Sequence, residues 1–161
     1  MAINVFLKIP GIEGESQNEN HKNEIEITSY SFSGHHTGSP ESGTGLAGGK
    51  AQVTDLQLTK VMDKSSPKIL EACCIGKPIP GGPVILSVDR AGDPPVTYLK
   101  VTLHNAVISS YHVSSAGGDL PNESLTISSL KIEQEYKPID EKGNPQGAIK
   151  AHYDLKKAEG E

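Results

Sequence analysis

Short segments that alternate apolar and polar residues recur along the whole of this 161-residue chain, and one helical segment interrupts them. Residues 3–9 alternate in the period of two that is typical of a half-buried strand. Similar patterns occupy residues 24–32, 53–61, 84–89, 96–115, 124–136 and 149–155. The turns between them are rich in Gly and Pro. The pattern predicts a mainly β protein, a small barrel or sandwich of antiparallel strands.

Residues 65–76 interrupt the alternation, and their pattern predicts one short α-helix over about 66–75. Ser66 is placed to cap the helix, and Pro67 suits the first helical position, where a backbone N–H has no partner within the helix. Gly76 supplies the left-handed residue that ends the helix. The apolar stripe of the predicted helix consists of Ile69, Leu70 and Cys73. A helix of about ten residues is unstable alone in water, so it must pack on the β-structure.

Length and composition favour one domain, 1–161, without a linker or repeat. A net charge of −5 argues against nucleic acid as a partner. We expect no membrane insertion, because no apolar run approaches about 20 residues. The N-terminus lacks the charged and apolar regions of a signal peptide. Residues 33–50, rich in Gly, Ser and His, predict a flexible loop, and the charged tail 156–161 is expected to fray.

The sequence patterns that could indicate catalysis or cofactor binding are either incomplete or lie in the wrong structural context. The Gly-x-Gly-x-x-Gly at residues 43–48 precedes a strand pattern, whereas dinucleotide binding requires a helix there. The histidines lack metal-ligand spacing, and no Gly-x-Ser-x-Gly elbow is present. Cys73 and Cys74 are neighbours near the end of the predicted helix, where the dipole disfavours a thiolate. We therefore expect no enzymatic activity, no cofactor and no metal.

The most specific pattern lies at residues 55–77, a strand followed by the predicted helix and its exit. Its characteristic positions are Asp55, Thr59, Lys60, Asp63, Pro67, Gly76 and Lys77. This segment resembles the central signature of the Hcp family, the haemolysin-coregulated tube proteins of bacterial type VI secretion. The first strand, the segment 24–32 and the closing strands are also similar to the family, so the resemblance covers nearly the whole chain.

The resemblance implies a β-barrel subunit that forms hexameric rings, which stack into the inner tube of the secretion apparatus. Spike protein, contractile sheath, baseplate and effectors carried in the lumen would then be its partners. It further implies a protein made in the bacterial cytoplasm and secreted without a cleavable signal peptide. Small polar side chains suit a wetted channel wall, so Ser29 and Ser31 are predicted to face the lumen. The loop residues predicted to contact a neighbouring subunit or ring are His35, His36, Gly43, Gly45, Gly48 and Lys50.

A different class of protein shares this composition. A monomeric β-sandwich that binds a ligand or carbohydrate would have similar strands and turns, but would be expected to show an aromatic platform. The chain has five Tyr, two Phe and no Trp, scattered along its length, which gives that alternative little support.

Overall fold

The computed structural model describes residues 2–37, 51–157 and 159–160. Its elements are, in chain order, β1 Ile3–Lys8, β2 Ile25–Ile27, β3 Ser29–Ser31, β4 Gly34–His36, β5 Ala51–Val53, β6 Leu56–Val61, α1 Ser66–Ile75, β7 Val84–Arg90, β8 Val96–His104, β9 Val107–Ser114, β10 Asn122–Ser128, β11 Lys131–Tyr136, β12 Ile149–Asp154 and β13 Glu159–Gly160. The prediction of a mainly β fold with a short helix over about 66–75 is confirmed.

Within the described residues, the strands form three open, antiparallel sheets. A seven-stranded sheet has the order β13-β12-β11-β8-β7-β1-β2, and a four-stranded sheet has the order β3-β6-β10-β9. A third sheet pairs only β4 with β5. The arrangement is that of a sandwich, because the two larger sheets share one core.

The core lies between the inner faces of these two sheets. Leu7, Leu86 and Val101 contribute from the seven-stranded sheet, and Leu58 and Leu125 from the four-stranded sheet. Each is at most 1% exposed, as the alternation of their strands predicts. The residues that alternate with them on the four-stranded sheet point away from the core, and this outer face is the part of the fold that concerns function.

Three of the predicted strands turn out to change sheets within their length. The segment 24–32 divides at Thr28 into β2, in the seven-stranded sheet, and β3, in the four-stranded sheet. The runs 96–115 and 124–136 divide in the same way, into β8 and β9 and into β10 and β11. In the sequence, the apolar residues change parity beyond Thr28 and again at Ser128-Ser129, and both changes mark crossings between sheets rather than bulges within one strand.

The helix begins differently from the prediction. Ser65 is the N-cap residue and makes no side-chain cap, while Asp63 Oδ1 accepts the backbone N–H of Ser65 at 2.9 Å. Leu70, assigned to the apolar stripe, is 50% exposed, whereas Ile69 is fully buried and Cys73 packs partly on the core. Gly76 ends the helix with a φ of 69°, as predicted.

The C-terminal strands differ most from the expectation. In β12, the alternation puts Ile149 and Ala151 in the apolar phase that would face the core, yet Ile149 is 66% exposed and Ala151 is also exposed. Four strands cannot cover seven, so this end of the larger sheet extends beyond the shared core. Glu159–Gly160, in the tail that was expected to fray, pairs with Tyr153 and Asp154. No helix among the described residues has the length and apolar character needed to cross a membrane.

Candidate functional site

A buried cluster of charged and polar side chains holds the helix to the four-stranded sheet. We call it the Lys60 cluster, and its members are Lys60, Asp63, Ser66, Tyr111 and Glu123. The side chains of Lys60 and Glu123 are fully buried and form an ion pair, and Lys60 Nζ also lies 3.1 Å from Asp63 Oδ1. Burial of a charge is tolerated only when it is paired in this way.

The remaining members satisfy the other lone pairs and protons of this ion pair. Ser66 Oγ donates to Glu123 Oε1 at 2.9 Å and accepts from Lys60 Nζ at 3.2 Å. The Tyr111 hydroxyl donates to the second carboxylate oxygen of Glu123. Burial, followed by this hydrogen bond, raises the pKa of Tyr111 to about 12. The cluster thus ties together β6, the start of α1, β9 and β10, and it is structural because its polar atoms are directed at one another.

The outer surface of the four-stranded sheet carries mostly polar side chains without a formal charge, together with the exposed apolar side chain of Val61. We call it the polar face. The register places on it Ser29, Ser31, Gln57, Thr59, Val61, Ser110, His112, Ser114, Asn122, Ser124 and Thr126. None of these is Asp, Glu, Lys or Arg, and all are exposed except Thr126, which is partly so. One row crosses all four strands as Ser29, Thr59, Ser124 and His112.

Hydroxyl groups on neighbouring strands of the polar face bond to one another. Thr59 Oγ1 lies 2.5 Å from Ser29 Oγ and 2.7 Å from Thr28 Oγ1. Thr126 Oγ1 lies 2.6 Å from Ser110 Oγ. These bonds fix the orientations of the hydroxyls on this surface.

The structure distributes the family-signature residues over three environments. Lys60 and Asp63 lie in the Lys60 cluster, and Thr59 lies on the polar face together with Ser29 and Ser31. Asp55, at the rim of that face, accepts from Ser109 Oγ at 2.7 Å. Three further positions serve the helix ends or their flank; these are Pro67 in the first turn, Gly76 at the left-handed C-cap and the exposed Lys77.

The predicted contact loop, residues 33–50, is described only over residues 33–37. His35 and His36 lie on β4, which pairs with β5, and His35 Nε2 is 2.7 Å from Gln52 Oε1. Gly43, Gly45, Gly48 and Lys50 lie outside the described residues, so their predicted contacts stay predictions. Within the described ranges, no three His, Cys, Asp or Glu side chains are grouped so that they could hold a metal ion.

Sequence reasoning missed Glu123, Tyr111 and most of the polar face. A signal for the cluster exists, because Lys60 has the phase of Leu56 and Leu58, and Glu123 that of Leu125 and Ile127. Opposite charges in the apolar phases of two strands predict a buried pair. The polar face needed the register of four strands, which no local pattern gives.

A second buried polar group lies behind the seven-stranded sheet. His21 stacks on Phe6 with ring centroids 4.3 Å apart, and its Nε2 lies 2.9 Å from Asp89 Oδ2. Its Nδ1 lies 3.2 Å from both carboxylate oxygens of Glu24. Thr97 Oγ1 donates to Asp89 Oδ1 at 2.6 Å. This group fastens the connection between β1 and β2 onto β7 and is remote from the polar face.

Fold and site together define a class, a small β-sandwich whose helix is held by a buried ion pair and whose four-stranded sheet has an exposed face without Asp, Glu, Lys or Arg. Comparison with known proteins narrows this class. Residues 6–136 match a family model described as "Type VI secretion system effector, Hcp". The curated protein hcp1 of Pseudomonas aeruginosa is 34% identical over 149 residues, which cover 91% of this chain and 91% of that protein.

Solved structures agree with this relationship. A structure described as a type six secretion system protein has a TM-score of 0.90 and 27% identity, covering 99% of this chain and 100% of the other. The crystal structure of Hcp1 from Salmonella typhimurium has a TM-score of 0.80 and 33% identity, with 100% of both chains covered. The chain belongs to the Hcp family of type VI secretion proteins.

Proposed function

We propose that this protein is a structural subunit of the type VI inner tube, which forms hexameric rings that stack and carry effectors in the lumen. The observation that carries the proposal is the polar face, a complete sheet surface of uncharged side chains with no catalytic grouping among its described residues. A channel wall that guides many cargoes needs such a surface. Ser29 and Ser31 belong to it, which supports the lumen assignment.

The edges of the four-stranded sheet support ring formation. In the described part of the chain, β3 and β9 are each paired on one side only. An open strand edge presents unpaired N–H and C=O groups that another chain can pair with. Because the two edges differ, one subunit would offer β9 where its neighbour offers β3, a heterologous contact that closes into a ring when the rotation allows.

Apolar side chains at this side of the molecule fit the same arrangement. Val113 on β9 is 40% exposed, and Leu70 and Ile75 on α1 are 50% and 57% exposed. The helix packs against β9, so these side chains lie near the open edge. Their burial in a subunit contact would add hydrophobic stabilisation of about 25 cal/mol per Å² of apolar surface.

A charge placed at the β9 edge tests the arrangement. Val113→Lys puts a solvated ammonium where the neighbouring subunit would pack, and we expect monomers in sedimentation velocity at concentrations where the parent protein forms rings. Gln134→Lys adds the same charge at an exposed position on β11, inside the seven-stranded sheet, and should assemble normally. Normal assembly of Val113→Lys would exclude the β9 edge as the contact.

The proposed cellular role follows from assembly and family. Rings and tubes form in the bacterial cytoplasm and leave the cell behind the spike, driven by the contractile sheath from the baseplate. His35 and His36, on the β4–β5 ribbon beside the two sheets, would contact a neighbouring subunit or ring. The role is structural and needs no enzymatic step.

A further inference from the structure

We infer that the polar face holds its cargo by hydrogen bonds to uncharged polar groups rather than by ion pairs. The cargo surface it fits is one rich in Ser, Thr, Asn and Gln side chains and exposed main-chain amides. The inference rests on the proposed function, which places this face on the wall of the tube.

The distribution of charge on the four strands is the first support. Across β3, β6, β9 and β10, all fully described, the Asp, Glu, Lys and Arg residues are limited to Lys60 and Glu123. Both point inward and neutralise each other in the Lys60 cluster. Surfaces designed for solubility carry about 25–35% charged residues, a proportion that would give about three charged side chains on a face of this size. The strands carry charge only where a cargo cannot reach it.

The hydrogen-bonding state of the face is the second support. Thr59 and Thr126 are engaged with neighbouring hydroxyls. Among the described residues, the side chains of Gln57, Asn122 and Ser124 make no hydrogen bond within the chain, and Gln57 and Ser124 lie on the two central strands. Ordered hydroxyls therefore alternate with polar groups that are available to a bound protein.

The charged side chain at the rim, Asp55, does not alter the uncharged character of the polar face. Asp55, just before β6, is held by Ser109, and that serine is hydrogen-bonded to Thr126. His112 is the one titratable side chain on the polar face. Ionic contacts at exposed sites weaken with salt, because the screening length falls from about 10 Å at 0.1 M to about 3 Å at 1 M. Neutral hydrogen bonds lack this dependence, so retention on the polar face should be independent of ionic strength.

Three fluorescent peptides of equal length provide the test, one rich in Ser, Asn and Gln, one in which Asp replaces part of them and one in which Lys does. Their binding to the assembled protein is measured by anisotropy at about pH 8, where histidine is ordinarily neutral, and from about 50 to about 500 mM NaCl. We expect the uncharged peptide to bind with an affinity that varies less than about twofold over this range. We expect neither charged peptide to bind more tightly than the uncharged one.

Matched variants show whether the peptides reach the polar face. Ser124→Lys places a cation at its centre and should give the Asp-containing peptide an affinity that falls at least about tenfold with added salt. Gln57→Lys repeats this on the neighbouring strand, should one variant fold poorly. Gln134→Lys, on the seven-stranded sheet, should leave the affinities of all three peptides unchanged.

Each contrary result has a distinct meaning. Tighter, salt-sensitive binding of a charged peptide to the parent protein, or absence of binding by the uncharged peptide, overturns the inference. Lack of any response to Ser124→Lys and Gln57→Lys does so too, since the peptides would then bind elsewhere. Negative-stain images of the same samples separate these outcomes from failure of the proposed function, which would appear as the absence of rings.

Discussion

Replacement of Glu123 by Gln should destabilise the protein strongly, because it leaves Lys60 buried without its main counter-charge. Both side chains are 0% exposed, and Asp63, which is 11% exposed, remains 3.1 Å from Lys60 Nζ. Removal of one partner of a buried pair costs about 3–5 kcal/mol. Asp63 still compensates part of the charge, so we expect the lower end, about 3 kcal/mol.

The double variant Lys60→Met with Glu123→Gln distinguishes the interaction between the two charges from the cost of leaving one of them buried alone. It removes the charges together, so it should recover at least about 2 kcal/mol of the loss caused by Glu123→Gln alone. The surface pair of Glu135 and Lys150, 3.7 Å apart and with Lys150 71% exposed, provides the control. Glu135→Gln should change the free energy of unfolding by less than about 1 kcal/mol.

Urea unfolding at one fixed protein concentration measures these differences, because assembly adds to apparent stability. A loss of about 3 kcal/mol corresponds to a fall in Tm of about 6–12 °C for a domain of this size. A cost below about 1 kcal/mol for Glu123→Gln, or a double variant whose loss is the sum of the two single losses, would refute the buried-pair reasoning.

Three further perturbations test other parts of the structure. Folding raises the pKa of Tyr111 from its ordinary value of about 10 to about 12. The folding stability that the neutral hydroxyl contributes is therefore fully present below about pH 10 and is lost between about pH 10 and 12. Tyr111→Phe should remove this alkaline loss in unfolding curves compared with the parent protein. A Cβ at Gly14 would lie 2.5 Å from the Glu24 carbonyl oxygen, so Gly14→Ala should cost about 1–3 kcal/mol in urea unfolding. Gly147→Ala, with nothing within 4 Å, should be nearly neutral. His21→Ala removes the ring stacked on Phe6 and a hydrogen-bond partner of the buried Asp89, and chemical denaturation should show a loss of at least about 1–3 kcal/mol. A loss below about 0.5 kcal/mol would contradict that role.

Local sequence patterns predicted the positions of the strands and the helix better than they predicted how the strands assemble into sheets. Period-two alternation identified the strands of the two larger sheets apart from β13, and the signals at Pro67 and Gly76 identified the helix, because each depends on neighbouring residues alone. The short strands β4 and β5 lack this pattern. The division of residues 24–32 at Thr28 depends on which sheet each half joins. The sequence showed it only as a change of parity, which a bulge would also produce.

The candidate site shows the same limit. Ser29 and Ser31 were predicted for a polar wall from one strand, but Ser124 and Thr126 join them only through the pairing of β10 with β6. The exposure of Ile149 has a similar cause, because its apolar phase is visible in the sequence while the extent of the opposing sheet is not.

The central claim is that this chain is a ring-forming tube subunit, and electron microscopy of the untagged protein in negative stain tests it most directly. Near micromolar concentration, we expect uniform rings with a central hole, and stacks of rings at higher concentration. Compact particles without a hole, over a range of salt and protein concentrations, would contradict the account.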